Sequence, residues 1–233
     1  MELVATLLLI GCYGAAAYLA WVAGTPIYLV TLAAGHVSAL ASPLWRVLYG
    51  VNYNLDLATV QILLGQPVPL QVLLGAGWYY PLPALLVYYL YTTRWWFPNA
   101  ITGVVTYMVF LLCYLLVESF GLRTQVWAYS AGRLPLGFTA PLLAAIMSAL
   151  IAYGLLYVLL AVQRSTWPSV LLAILPAPLL LSLLVHGLLG APLWLALLLN
   201  GQPWVVLAGL VSALVLLAWA VQIITSGIKR LAV

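Results

Sequence analysis

Residues 100–122 read AITGVVTYMVFLLCYLLVESFGL, and the single charge among them is Glu118. A helix needs about 20 mainly apolar residues to cross a hydrocarbon core of about 30 Å, so this stretch reads as a membrane span. The rest of the chain has the same character, with 67% hydrophobic and only 4% charged residues. An ordinary soluble domain draws about a quarter of its residues from the charged types, a supply this chain does not have.

Outward from that stretch, apolar runs between polar or proline breaks place six more spans, at 3–23, 27–48, 68–92, 136–162, 168–191 and 203–227. The chain therefore reads as one all-α transmembrane domain over 1–233, a polytopic helical protein of seven spans with short loops. Pro26, Pro168 and Pro203 stand where runs begin, and a first helical turn tolerates the missing N–H. Pro81, Pro83, Pro176 and Pro178 lie within runs and predict kinks. The first run follows Met1 and Glu2 with no basic segment, which predicts a retained span rather than a cleaved signal peptide.

Seven crossings put the termini on opposite sides. Arg94, Arg164, Lys229 and Arg230 then share the C-terminal side, while Arg46, Arg123 and Arg133 share the other with Asp56 and Glu118. The positive-inside rule favours a cytoplasmic C-terminus by only four to three. If the three opposing arginines are held in a site with the two acids, the signal becomes four to none and predicts an N-terminus outside. The net charge of +4 is spread singly along the chain apart from Lys229 and Arg230, which excludes a nucleic-acid surface. Cys12 and Cys113 fall in apolar runs, where cysteine serves as a small hydrophobe. No Cys/His cluster has zinc spacing, so no metal is expected, and no phosphate-cradling glycine loop is present.

A parallel repeat is also expected. His36 is followed by Pro43-Leu44-Trp45 and then Gly65-Gln66-Pro67, and His186 by Pro192-Leu193-Trp194 and then Gly201-Gln202-Pro203. Pro26 and Pro176 each precede their histidine by ten residues. The matches equate spans 2 and 3 with spans 6 and 7, a 3+1+3 arrangement with span 4 as the linker.

An ionisable group inside a span costs at least about 2.5 to 3.5 kcal/mol and needs a reason to be there. Glu118, near the end of its span, has two readings. It is either an interfacial residue paired with Arg123, with Trp127 and Tyr129 as headgroup anchors, or a carboxyl partly withdrawn from water that donates a proton in an apolar cavity. Asp56 reads as a second acid or base, or as a loop or helix-cap residue. His36 and His186 read as hydrogen-bonding residues between helices, as lining of a substrate cavity, or as ligands of a haem or chlorophyll-type pigment. Trp78, Tyr79 and Tyr80 lie deeper in their run than an interfacial belt requires and are expected to line a cavity. Aromatic faces there would stabilise a cation by about 0.5 to 2 kcal/mol each.

The pattern Glu118-x-x-Gly121-x-x-Thr124, followed by Trp127 and Tyr129, resembles a motif of the carotenoid hydratase family, small polytopic membrane proteins of carotenoid biosynthesis. It also looks somewhat like the spirocyclase type of membrane enzyme. In the family pattern a Gly follows the Thr and Phe-Gly precedes the Tyr, whereas here Gln125 follows Thr124 and Trp127-Ala128 precedes Tyr129. The resemblance implies that Glu118 belongs to an acidic site. The expected function is a membrane hydratase (a lyase) or cyclase that protonates a C=C bond of a long isoprenoid or similar lipid. Glu118 would be the acid and Asp56 its partner, Arg123 and Arg46 would tune their charge, and Trp78, Tyr79, Trp127 and Tyr129 would shield the cation. Such chemistry needs no cofactor, and its partners are membrane lipid and the substrate. Two other classes stay open: a haem- or pigment-binding subunit of a membrane complex using His36 and His186, and a small-solute carrier suggested by the repeat.

Overall fold

The computed structural model describes residues 2–54, 56, 58–61, 67–130, 134–163, 167–199 and 202–231. The expected Arg133 and Arg164, and Gly65, Gln66 and Gly201 of the repeat, lie outside them. The described chain is helical almost throughout and carries seven helical stretches long and apolar enough to span a bilayer. In chain order these are α1 (Glu2–Ala23), α2 (Ile27–Ser38) with α3 (Ser42–Tyr49), α4 (Leu70–Tyr79) with α5 (Pro81–Thr92), α6 (Ala100–Arg123), α7 (Ala140–Val162), α8 (Trp167–Ile174) with α9 (Ala177–Ser182), and α11 (Pro203–Leu231). A π-helical segment, Leu183–Leu189, continues α9, and the short α10 (Ala191–Leu198) leads into α11. The protein is thus a multi-pass membrane protein.

Prolines shape the composite spans as expected. α4 gives way to α5 at Pro81, and α8 to α9 at Pro176 and Pro178. Two boundaries differ from the sequence reading. α7 begins at Ala140 rather than near 136, because Thr139 caps it and Pro135–Gly137 form a separate 3-10 turn. α11 continues to Leu231, placing Lys229 and Arg230 in its last turn, where cations complement the helix dipole.

α7 is the centre of the bundle. Its most apolar stretch is 78% buried, against 6% for that of the peripheral α1, and it packs against α5, α6, α8, α9 and α11. Alanines at 144, 145, 149 and 152 line it, all fully buried, so neighbouring backbones approach closely. α6 starts at a capping box: Asn99 Oδ1 accepts from the N–H groups of Ile101 and Thr102, and Thr102 Oγ1 accepts from Asn99 N–H. α2 crosses α4 at Gly35, where a Cβ would stand 2.6 Å from Ala76 O.

The two halves of the predicted repeat share a local shape. Each Pro-Leu-Trp stretch sits near the start of a short helix after a break, in α3 and in α10. Outside the helices, two small antiparallel pairs form: β1 (Val51–Tyr53) with β4 (Trp127–Tyr129), and β2 (Thr59–Gln61) with β3 (Pro67–Pro69). The β1–β4 pair ties the connection after span 2 to that after span 4, so these two loops lie at one end of the bundle.

Candidate active site

The chain beyond α6 folds back onto Glu118. Thr124 closes the helix, its N–H and hydroxyl both donating to Phe120 O at 3.0 and 2.8 Å. Gln125 takes a left-handed conformation (φ 54°) and Val126 N–H donates to Gly121 O at 3.1 Å, which reverses the chain. This is the turn that the family pattern fills with glycine, and the conformation is the one glycine adopts most readily. β4 then pairs with β1, Tyr53 opposite Trp127 and Val51 opposite Tyr129. Alternate strand residues share a face, so Val51, Tyr53, Trp127 and Tyr129 form one surface over α6, while Asn52 and Ala128 are exposed on the other.

Glu118 is 2% exposed and lies beneath that surface. Its Oε2 accepts from the Tyr129 hydroxyl at 2.6 Å and from Trp127 Nε1–H at 3.1 Å. The Tyr79 hydroxyl reaches Oε1 at 3.4 Å and lies 3.2 Å from Ser148 Oγ. A phenol has one proton, so Tyr79 gives it to only one of the two at a time. Tyr114 OH donates to Tyr79 O at 2.8 Å and fixes the end of α4. A Cβ on Gly121 would overlap the Trp127 ring, so only glycine lets the indole lie across α6 and reach the carboxyl. The Glu118-x-x-Gly121 spacing, one turn of one helix face, thereby acquires a physical reason.

Burial, and after it the Glu118 carboxylate, pushes the Tyr129 hydroxyl far above the ordinary phenol range. The same two causes raise Tyr53, with a smaller opposing effect of Ser42. Both phenols therefore keep their protons, and Tyr129 remains a donor.

Glu118 faces a cavity of about 730 Å³, within the range of small-molecule sites. Its lining is mostly apolar and aromatic: Trp45 from α3, Tyr53 from β1, Trp78 and Tyr79 from α4, and Trp127 and Tyr129 from β4. Leu8 of α1 and Leu116 and Phe120 of α6 also line it. They are 49%, 71% and 55% exposed on spanning helices, so the cavity borders the lipid-facing surface.

Of the expected site residues, Glu118, Arg123, Trp127, Tyr129, Trp78 and Tyr79 meet at this cavity. The expected pair of Glu118 with Arg123 does not form, since Arg123 is exposed at the rim and phenol and indole donors occupy the carboxyl. Asp56 is not among the lining residues. It is exposed in the connection after β1, its N–H bonded to Asn54 Oδ1 at 3.0 Å in a turn. Arg46, exposed on α3, does not line the cavity either.

Neither histidine reaches the cavity. His36 Nδ1 is 3.1 Å from Leu73 O, and its ring stacks near Tyr13. His186 is fully buried in the π-helical segment, with Nδ1 2.7 Å from the Tyr49 hydroxyl and the Trp45 ring centroid 5.0 Å away. Sequence reasoning missed Trp45, Tyr53 and Gln71 in the lining and the part played by Gly121. An amide at position 71 inside an apolar run and the glycine one turn after Glu118 were the available signals.

Comparison with family models, with curated proteins and with solved structures found no match to this chain. The likeness to carotenoid hydratases thus rests on residues 118–129 alone.

Proposed function

We propose that the protein is a membrane enzyme that protonates a C=C bond of a long isoprenoid lipid, leading to hydration or cyclisation. One observation carries this reading: a buried carboxyl, held by neutral donors, faces an aromatic cavity that borders lipid. In the step, the Glu118 O–H bond breaks, the π pair of the alkene forms a new C–H bond, and the adjacent carbon becomes a cation. The carboxylate left behind is received by Tyr129 O–H, Trp127 N–H and Tyr79 O–H. Donors placed in advance where charge develops lower the barrier without reorganising. The rings of Trp45, Trp78 and Tyr79 flank the cation. Water, or a nucleophile within the substrate, then bonds to the cationic carbon. The proton released returns to the carboxylate, restoring Glu118. Asp56 and Arg46, which do not line the cavity, have no part in this mechanism.

The test is turnover of polyunsaturated isoprenoids such as lycopene by the purified protein in lipid nanodiscs. Glu118→Gln keeps the shape and the acceptor oxygen but has no acidic proton. It is expected to fold normally and to form no product. Full turnover by that variant removes Glu118 from the mechanism.

We also infer an N-terminus outside and a cytoplasmic C-terminus, on the four-to-three excess of cations on the C-terminal side. A fluorescent protein that matures only in the cytoplasm should light up when fused after Val233. Fluorescence from an N-terminal fusion alone would reverse the orientation.

A further inference from the structure

Gln71 is an unusual residue for the wall of an apolar cavity. It is 7% exposed, and neither its Nε2 nor its Oε1 has a hydrogen-bond partner among the described residues. The buried Nε1 of Trp78 has none either. Buried polar groups without partners are costly, so several on one wall point to a ligand that completes them.

The three residues Gln71, Gly75 and Trp78 are spaced by four and three positions along α4, so they share one helix face, and all three line the cavity. Long helical side chains lean toward the helix N-terminus. The Trp78 indole accordingly lies back over Gly75, where an added Cβ would stand 3.8 Å from Cζ2 and 4.0 Å from Cε2. Cε2 is bonded to Nε1, so the indole N–H comes to the level of Gly75, one turn from Gln71. The glycine leaves a notch between an amide and an indole N–H.

The donor set decides what fits. The notch offers two kinds of donor, amide and indole N–H, and one acceptor, the amide oxygen. A hydroxyl donates to Gln71 Oε1 while its lone pairs accept from Nε2 and from Trp78 Nε1. An ether or ketone oxygen cannot donate and leaves Oε1 unpaired, and a carboxylate has the same defect. Gln71 stands eight residues before Tyr79, about 12 Å along the helix axis.

We propose that Gln71, Gly75 and Trp78 form a hydroxyl-binding site and that the cavity takes long isoprenoid alcohols, with the alcohol seated toward the start of α4 and the chain running toward Glu118. This rests on the reading of the cavity as a lipid site, but not on the chemistry assigned to Glu118.

Equilibrium binding of geranylgeraniol, its O-methyl ether and the corresponding hydrocarbon tests it, measured on the protein in nanodiscs. Wild type and Glu118→Gln should both bind the alcohol roughly tenfold or more tightly than the other two. Gln71→Leu should bind all three alike while still binding the hydrocarbon, which also shows that the variant is folded. Trp78→Phe, which keeps the ring and loses the N–H, should show a reduced preference. Equal affinities for the three ligands in wild type overturn the proposal, as does an alcohol preference that survives Gln71→Leu. Binding of none of the three overturns the lipid-cavity reading and the notch with it. An alcohol preference without any turnover leaves the notch standing and removes only the proposed chemistry.

Discussion

Tyr129, Trp127 and Tyr79 matter more to Glu118 than any of the cations expected beside it. A carboxyl in an apolar wall is tolerable when its oxygens are engaged, and here neutral donors do this. Neutral donors leave the carboxyl without a fixed positive charge against it, which suits the substrate cation of the proposed mechanism. Tyr129→Phe removes the 2.6 Å hydrogen bond and should lower kcat about ten- to a hundredfold, with little change in KM. Gly121→Ala should do comparable damage from one turn away, because its methyl displaces the Trp127 ring. Steady-state kinetics on both variants check this, and unaltered kcat in Tyr129→Phe would deny the phenol any role in the transition state. The carboxyl itself was readable in the sequence, being the one acidic residue within an expected span. Its partners were only half readable. Trp127 and Tyr129 read either as headgroup anchors or as rings shielding a cation, and their place as donors to the carboxyl emerges only with the reversal at Gln125 that brings them back over the helix.

The spans were the most readable elements. Apolar length and proline position fixed all seven to within a few residues, because in a bilayer the backbone must bond to itself and an apolar run has few alternatives. The three-residue strands β1 and β4 left no such mark. Val51–Tyr53 and Trp127–Tyr129 are separated by two whole spans in the sequence, the third and the fourth, and their pairing depends on how spans 2 and 4 pack. This pair carries the two phenols outside the spans whose protons are held most firmly, and stability should report them. In the unfolded chain a phenol ionises near pH 10, whereas folded Tyr53 and Tyr129 do so only at higher pH. Between those limits the folded state holds more protons than the unfolded one. The stabilisation is therefore complete below about pH 10 and declines as pH rises above it, by up to about 1.4 kcal/mol per unit for each phenol. Thermal unfolding across that range should show the fall, and Tyr129→Phe should make it shallower. A slope identical in wild type and variant would contradict the burial of this hydroxyl.

At the scale of the whole molecule, the bundle is organised around α7 while the cavity is displaced toward the less enclosed α1 and α6. The enclosed α7 carries Ser148, 3.2 Å from the Tyr79 hydroxyl, and the open side brings the exposed Leu8, Leu116 and Phe120 to the cavity. Charge distribution, the first global feature visible in the sequence, turns out to mean something narrower than a four-residue site. Glu118 and Arg123 reach the cavity, whereas Asp56 and Arg46 share its end of the bundle and not its wall. Which helices enclose a residue depends on packing that composition does not encode, so the shared end of the bundle could be inferred and the convergence could not. The most direct measurement is turnover in deuterium oxide, with the product analysed by mass spectrometry. Proton donation from Glu118, which exchanges with solvent, places one deuterium on the carbon that gains hydrogen, and Glu118→Gln yields no such product. Product formed by wild type without carbon-bound deuterium, or the same labelled product formed at the wild-type rate by Glu118→Gln, would contradict this mechanism.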